Sequence, residues 1–139
     1  MKTHATTKTE LTTKWHHIDA DNKVVGKVAA EIVNLLTGKH KVNYVPYLNS
    51  GDKVVVTNTK KIVLTGQKEL KKLYYRHSGQ VGKLKTNTAE KLRRNNPNLI
   101  LLNAVKGMLP KNRLQKVRLA NLHLYAGSEH PHHGQIVDK

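Results

Sequence analysis

The sequence predicts an α/β fold in which parallel strands are joined by a helix. Short strands are predicted at Trp15–Ile18 and at Lys53–Thr57, which contains Val54–Val56, a β-branched run typical of a strand buried on both faces. Between them, apolar residues recur at helical spacing over Val24–Leu36, and Gly38 is a suitable helix terminator. A strand, a helix and a second strand in this order favour a right-handed parallel crossover.

The length and composition predict a single domain over residues 1–139. A chain of 139 residues is typical of one domain with one modest core, and no internal repeat divides it. Residues 1–13 are polar and rich in threonine, so we expect a loose N-terminal arm. Residues 128–139 are polar and rich in histidine, so we expect a tail beyond the core.

A large excess of positive charge is the main indication of function. The chain carries 25 Lys and Arg against 9 Asp and Glu, which gives a formal charge of +16. Such an excess destabilises a compact protein through self-repulsion, and the phosphate backbone of a nucleic acid is the simplest compensating partner. An anionic membrane is the competing partner. However, the sequence has no basic amphipathic helix of the surface-binding kind and no apolar run approaching the ~20 residues that span a bilayer.

The sequence also bears on cellular location. It contains no cysteine, which excludes disulfides and thiolate metal sites and fits a reducing compartment. Residues 1–13 lack the apolar stretch of a signal peptide and the arginines of a transit peptide. We therefore expect a cytoplasmic protein.

Short elements are predicted along the second half of the chain. Thr88 is a good N-cap because its hydroxyl can accept a hydrogen bond from a free amide of the first helical turn. The predicted elements are a helical turn or short strand at Lys60–Leu64, a strand at Leu73–His77, an extended basic loop at Ser78–Lys85, helices from Thr88 to about Asn95, from Pro97 to Gly107 and over Leu114–Ala120, and a final strand at Leu122–Tyr125.

The segment Ala104–Lys111 is the strongest local indication of a functional surface. It lies within Lys91–Ser128, a run that contains no Asp or Glu, so its cations have no neighbouring anions to offset their repulsion. We interpret the segment as the end of a buried helix. Gly107 is expected to be the C′ residue, and Pro110 then prevents the helix from resuming.

This interpretation assigns two faces to the end of the helix. Lys106 and Lys111 are expected to face a polyanion, whereas Leu102 and Val105, three residues apart, are expected to face the core. The competing interpretation is an ordinary helix stop beside a solvated basic face.

Three groups of residues are candidates for contact with RNA. The first follows the helix stop at Gly38, where cations also complement the helix dipole. In the second, cations alternate with aromatic rings, which stack on unpaired bases; we expect one tyrosine to pack inward and the other to lie near RNA. The third belongs to the acid-free run. The candidates are Lys39, His40 and Lys41; Lys72, Tyr75, Arg76 and His77; and Lys106, Lys111, Arg113 and Lys116.

An enzymatic function is the main alternative class. The Asp19–Gly26 segment joins a strand to a helix, as a dinucleotide-binding turn does, but it has one glycine where that turn has three. We therefore expect Gly26 to serve close packing. No nucleophile with a base and no paired carboxylates form a motif, so we predict no catalytic residues and no cofactor.

Metal binding is also not predicted. His130, His132 and His133 lie in the polar tail, with no cysteine and few carboxylates nearby. Structural zinc sites usually combine four close ligands from Cys and His. We therefore predict no metal site.

Several segments together resemble the bacterial large-subunit ribosomal protein L13 family (uL13). They occur in the family's order and cover about residues 14–133 of the chain. The segment around Gly107 is the most specific, whereas Gly38–Lys41 alone would mean little. The matching segments are Trp15–Asp19, Gly26–Ala29, Gly38–Lys41, Gly51–Asp52, Thr65–Gly66, Tyr74–Gly79, Ala104–Lys111 and Leu124–His130.

The resemblance implies a three-layer α/β/α domain around a four-stranded, mainly parallel sheet. It also implies a structural, non-catalytic protein that binds large-subunit ribosomal RNA of the 23S type and supports early assembly, beside neighbouring large-subunit proteins. Val24 stands where the family often has a polar residue, so the first helix lacks the expected cap. A free regulatory protein that binds messenger RNA through the same surface is an alternative, and a small nucleotide-dependent enzyme is a weaker one.

Overall fold

A parallel three-stranded sheet lies at the centre of the computed structural model, which describes residues 3–136. Strands β1 (Trp15–Asp19), β2 (Lys53–Thr57) and β5 (Leu122–Leu124) are ordered β1-β2-β5. Strands β3 (Leu73–His77) and β4 (Leu84–Thr88) pair only with each other, as an antiparallel hairpin. The helices are α1 (Val25–Thr37), α2 (Lys68–Lys71), α3 (Ala89–Asn95), α4 (Asn98–Met108) and α5 (Leu114–Ala120), and short 3₁₀ turns lie at Lys8–Glu10, Thr59–Lys61 and His133–Gln135.

The hydrophobic core lies between one face of the sheet and helices α1 and α4. Because side chains alternate along a strand, Val54 and Val56 of the central strand point to the same face, and neither is exposed. Helix α1 packs against both β2 and α4. The core residues are Ile18, Ala20, Val25, Val28, Ala29, Ile32, Leu36, Val54, Val56, Ile62, Ile100, Leu101, Val105 and Leu109.

Helix α1 is fixed at both ends by the backbone. Val24 makes no side-chain cap, as the sequence predicted, and Val25 instead donates its amide to the Val63 carbonyl at 3.1 Å. At the other end Gly38 has a φ of 79°, and a Cβ there would lie 2.6 Å from the Ser50 carbonyl oxygen. A Cβ on Gly51 would lie 1.8 Å from the Leu36 carbonyl oxygen. These close approaches lock the end of α1 against the start of β2.

The opposite face of the sheet packs against the C-terminal segment. The Trp15 ring lies 5.5 Å from the His123 ring and 5.0 Å from the His132 ring. His17 lies 5.4 Å from His130, and the Tyr125 hydroxyl is hydrogen-bonded to His132 Nε2 at 2.9 Å. Much of the predicted tail is therefore packed on the sheet. Met1 and Lys2 of the predicted arm and residues 137–139 of the tail lie outside the described residues.

The fold implied by the resemblance is confirmed only as a mixed α/β domain with a mainly parallel sheet. Within residues 3–136 the parallel sheet has three strands, and the four-stranded description is wrong in detail. In the described part of the chain, one further parallel bridge joins Val24 and Val63 outside this sheet. The strand at Leu73–His77 forms as predicted, but it pairs with Leu84–Thr88, where the sequence predicted part of a loop.

Three details of the sequence interpretation need correction. Helix α4 continues through Gly107 and ends at Met108. The next residue, Leu109, is buried and has extended backbone, which is the conformation favoured in the residue before a proline. Its buried face carries Leu101 and Val105, four residues apart, whereas Leu102 is only half-buried. At Gly26 a Cβ would meet no atom within 4 Å, so close packing does not explain this glycine.

Candidate nucleic-acid interface

A basic pocket of about 570 Å³ forms where α4 meets α5. Lys106 lies exposed in the last turn of α4, and Lys111 follows Pro110. The amide of Gln115 donates hydrogen bonds to the carbonyls of Lys106 at 3.0 Å and Leu109 at 3.3 Å. A side chain of α5 therefore satisfies these helix-end carbonyls, which do not need a lysine ammonium as their partner. We call this the basic pocket; its lining is Asn103, Lys106, Gly107, Lys111, Asn112 and Gln115.

Gly107 is a residue of the basic pocket that the fold does not require to be glycine. It lies inside α4, is not among the glycines with positive φ, and has no atom within 4 Å of an added Cβ. Glycine in a helix interior is less favourable than alanine by about 0.8–1 kcal/mol, which is an upper bound for Gly107 in the last turn of α4. A bare backbone at this position instead leaves room for close approach of a ligand.

The other cations of the acid-free run separate into surface and structural residues. Arg113 and Lys116 are exposed but do not line the basic pocket. Arg118 is 1% exposed and belongs to the interior. Arg93 is also engaged, since it forms two hydrogen bonds with the Glu69 carboxylate, at 2.7 and 2.9 Å, and so ties α3 to α2.

The β3–β4 hairpin presents the second group of candidates. Tyr75 and His77 are two residues apart and therefore lie on the same face of β3, and Tyr75 is 64% exposed. His77 Nδ1 accepts a hydrogen bond from the Gly79 amide at 2.9 Å, so its other nitrogen, Nε2, carries the ring proton and can donate outward. Arg76 is exposed on the other face.

Tyr74 is the most buried residue of β3, and Lys72, which precedes the strand, is exposed beside it. Tyr74 is half-buried, and burial raises the pKa of its hydroxyl. The Lys72 ammonium lies 5.3 Å from the Tyr74 ring. Tyr74 is thus the more buried tyrosine of the pair and Tyr75 the exposed one, although Tyr74 does not reach the main core. Contact of Tyr75 with RNA stays a prediction.

The first group of candidates surrounds a buried carboxylate. Lys41 donates hydrogen bonds to Asp52 Oδ1, to the Ser50 carbonyl at 2.9 Å and to the Thr12 carbonyl at 2.6 Å. His40 Nε2 lies 2.9 Å from Asp52 Oδ2. Lys41 is therefore directed into the protein, whereas Lys39 is exposed.

Asp52 remains ionised in spite of its burial. Its side chain is 0% exposed, and burial alone would raise the pKa of this carboxyl. The hydrogen bonds from the Lys41 ammonium, the Lys14 amide and the His16 ring outweigh burial and lower the pKa below its usual value. Lys41 and Asp52 thus form a charged link between the segment after α1 and the start of β2.

The sequence interpretation did not include several residues of these surfaces. Lys85 lies beside Arg76 on the hairpin, and Asn103, Asn112 and Gln115 line the basic pocket. These neutral side chains give no charge pattern, so their role appears only when α4 and α5 are brought together. Asp52 did carry a signal, because it is the only acidic residue between Glu31 and Glu69.

These features define a small basic α/β protein with cationic surfaces suited to a nucleic acid. A family model described as Ribosomal protein L13 matches residues 13–131. Proteins named large ribosomal subunit protein uL13 are similar to nearly the whole chain. The one from Geobacter sp. strain M21 is 49% identical over 97% of this chain and 95% of its own. The one from Oleidesulfovibrio alaskensis is 46% identical over 97% and 94%.

The chain belongs to the ribosomal protein L13 family. A further relative, from Geobacillus sp. strain WCH70, is 48% identical over 91% of this chain and 87% of its own. Membership confirms the resemblance seen in the sequence and a structural ribosomal role, not an enzymatic one. None of the helices in residues 3–136 has the length and apolar character to cross a membrane.

Proposed function

We propose that this protein is a constituent of the large ribosomal subunit that binds its 23S-type ribosomal RNA and supports early assembly. Its further partners are neighbouring large-subunit proteins, and its location is the ribosome in the cytoplasm. Neither a membrane nor a small-molecule substrate takes part. The names of its relatives and the charge of +16 support this assignment.

The basic pocket is the observation that carries the proposal. Lys106 and Lys111 form no salt bridge with a carboxylate of residues 3–136, and Gly107 exposes bare backbone between them. Each lysine that neutralises a phosphate releases counterions, which favours binding to any RNA strand. Asparagine and glutamine amides around the same cavity can donate to phosphate or base oxygens.

The remaining contacts of the proposal come from the other exposed candidates. Tyr75 supplies an exposed ring for stacking on an unpaired base. The exposed cations supply phosphate contacts, while His40 and Lys41 contribute mainly by holding Asp52 and the loop that presents Lys39. The proposed cationic contacts are Lys39, Lys72, Arg76, His77, Lys106, Lys111, Arg113 and Lys116.

Fractionation of a cell extract tests the role. The proposal expects the protein to sediment with the large subunit and to stay there after washing with moderate salt. A free regulatory RNA-binding protein would instead be recovered with messenger RNA or in the light fractions. Recovery of the protein mainly away from the large subunit would contradict the proposal.

A further inference from the structure

We propose that His16, His40 and Asp52 form a binding site for a transition-metal ion of the zinc type. The three residues come from β1, from the segment after α1 and from the start of β2. Their possible ligand atoms all lie within 4.8 Å of one another. Two imidazole nitrogens and one carboxylate oxygen are a ligand set that zinc accepts, with water as the fourth ligand.

The carboxylate is held in the orientation that such a site needs. Asp52 Oδ1 accepts hydrogen bonds from the Lys14 amide, at 2.9 Å, and from the Lys41 ammonium. The other oxygen, Oδ2, lies 2.9 Å from His16 Nε2 and 2.9 Å from His40 Nε2. The outer partners thus fix one oxygen and leave the second between the two rings, as the surroundings of a metal-ligating carboxylate do.

The surroundings of the His40 ring are compatible with metal binding. Its Nε2 faces the Asp52 carboxylate, and its Nδ1 lies 3.5 Å from the Asn34 carbonyl oxygen. A neutral imidazole has only one N–H and can donate to only one of these oxygens, whereas a protonated ring can donate to both. With a metal ion bound at Nε2, a neutral ring keeps its N–H at Nδ1, where it can donate to the Asn34 carbonyl. A backbone carbonyl is a common partner for the free nitrogen of a metal-bound histidine.

The site is also accessible. A groove of about 890 Å³ is lined by His16, His40 and Lys41 among other residues, and the side chains of His16 and His40 are 32% and 35% exposed. The groove offers an entry path and room for a water ligand. Lys41 opposes a cation, although its ammonium already contacts three oxygen atoms. We therefore expect weaker binding than in zinc-finger peptides.

The competing arrangement has both imidazoles donating N–H to Asp52 with no metal ion involved. Calorimetric titration of the full-length protein with zinc chloride, at neutral pH and after removal of bound metal, distinguishes the two. The proposal expects saturable binding of one zinc ion, together with visible absorption bands of four-coordinate cobalt when cobalt(II) replaces zinc. Absence of saturable binding would overturn it.

Variants assign the binding to these residues. His16→Gln retains a side chain that can donate to Asp52 but removes the imidazole ligand, so zinc affinity should fall at least about tenfold while the circular dichroism spectrum is kept. The double variant His130→Ala, His133→Ala is the matched control, because those exposed or half-buried histidines lie outside the site. Affinity lost in the control but kept in His16→Gln would place the metal in the tail and refute the proposal.

Discussion

Replacing Gly107 with alanine separates the stability of helix α4 from the RNA binding that we propose at the basic pocket. Gly107 lies inside α4, and an added Cβ meets no atom within 4 Å. Glycine in a helix interior is destabilising by roughly 0.5–1 kcal/mol relative to alanine, chiefly through backbone entropy. Because Gly107 is the second-last residue of α4, we expect Gly107→Ala to raise the free energy of unfolding by at most about this amount.

The same substitution should weaken RNA binding. The new methyl group would stand on a surface that lines the basic pocket, where we propose that RNA packs against bare backbone. If RNA packs there as closely as side chains pack in a protein core, the added methyl group costs about 1–3 kcal/mol. Since about 1.4 kcal/mol is a tenfold change in affinity, the expected loss is about 5- to 150-fold. The salt dependence should be unchanged because no cation is removed.

Urea denaturation measures the stability, and fluorescence anisotropy at several salt concentrations measures the affinity for large-subunit ribosomal RNA. The comparison protein carries Lys106→Ala and Lys111→Ala, which should lower the log–log salt slope by roughly 1.4–1.8 units for two lost phosphate contacts. A Gly107→Ala protein with raised stability and wild-type affinity would refute RNA contact at Gly107. A wild-type slope in the lysine variant would identify both lysines as ordinary solvated charges.

Two further predictions concern the core and the packed C-terminal segment. Leu101→Ala should cost about 2–5 kcal/mol of stability because Leu101 is 0% exposed, and it should leave the salt slope of RNA binding unchanged. In urea denaturation the half-buried Leu102→Ala should cost clearly less stability. Equal costs for the two variants would contradict the buried face assigned to α4. Burial, and to a smaller extent nearby positive charge, lowers the pKa of His123 in the folded protein. As pH falls, His123 is therefore protonated in the unfolded state before it is protonated in the folded state. The free energy of unfolding should fall as pH drops through the ordinary histidine pKa of 6.5. Denaturation followed by Trp15 fluorescence measures this fall, and His123→Phe, which keeps a ring but cannot titrate, should reduce it.

Elements with a strong local pattern could be predicted from the sequence. The strands Lys53–Thr57 and Leu73–His77 and the helix Leu114–Ala120 have their predicted bounds. Thr88 caps α3 as expected, since its hydroxyl accepts from the Lys91 amide at 3.3 Å. In these cases β-branched runs, helical spacing or cap chemistry determine the structure within a few residues.

Elements without a buried face could not be predicted in this way. Strand β4, Leu84–Thr88, is exposed over its first three residues, so no alternation of apolar and polar residues marks it. It forms because it pairs with β3, with Tyr75 opposite Thr86. The end of α4 was also not predicted correctly. It is determined by the burial of Leu109 against the core and by Pro110, whereas the sequence pattern pointed to Gly107.

The candidate sites show the same limit. The basic segment containing Lys106 and Lys111 was evident from its charge pattern, but the pocket needs Gln115 from the next helix. The cluster around Asp52 depends on partners 36 and 12 residues away, His16 and His40, which no spacing rule connects. Local sequence therefore located the cations but could not show which of them the fold itself uses.

The few acidic residues explain why the positive charge is concentrated on particular surfaces. Asp52 holds Lys41, and Glu69 holds Arg93, so these carboxylates neutralise cations that link elements of the fold. In contrast, the run that contains the basic pocket has no acidic residue of its own, and its exposed lysines keep their full charge. Removing Asp52 would thus leave the largely buried Lys41 ammonium without its carboxylate partner and destabilise the fold. It should not increase the affinity of the basic pocket for RNA. The positions of these carboxylates therefore help to determine which cations the fold uses and which stay exposed for the RNA contact that we propose.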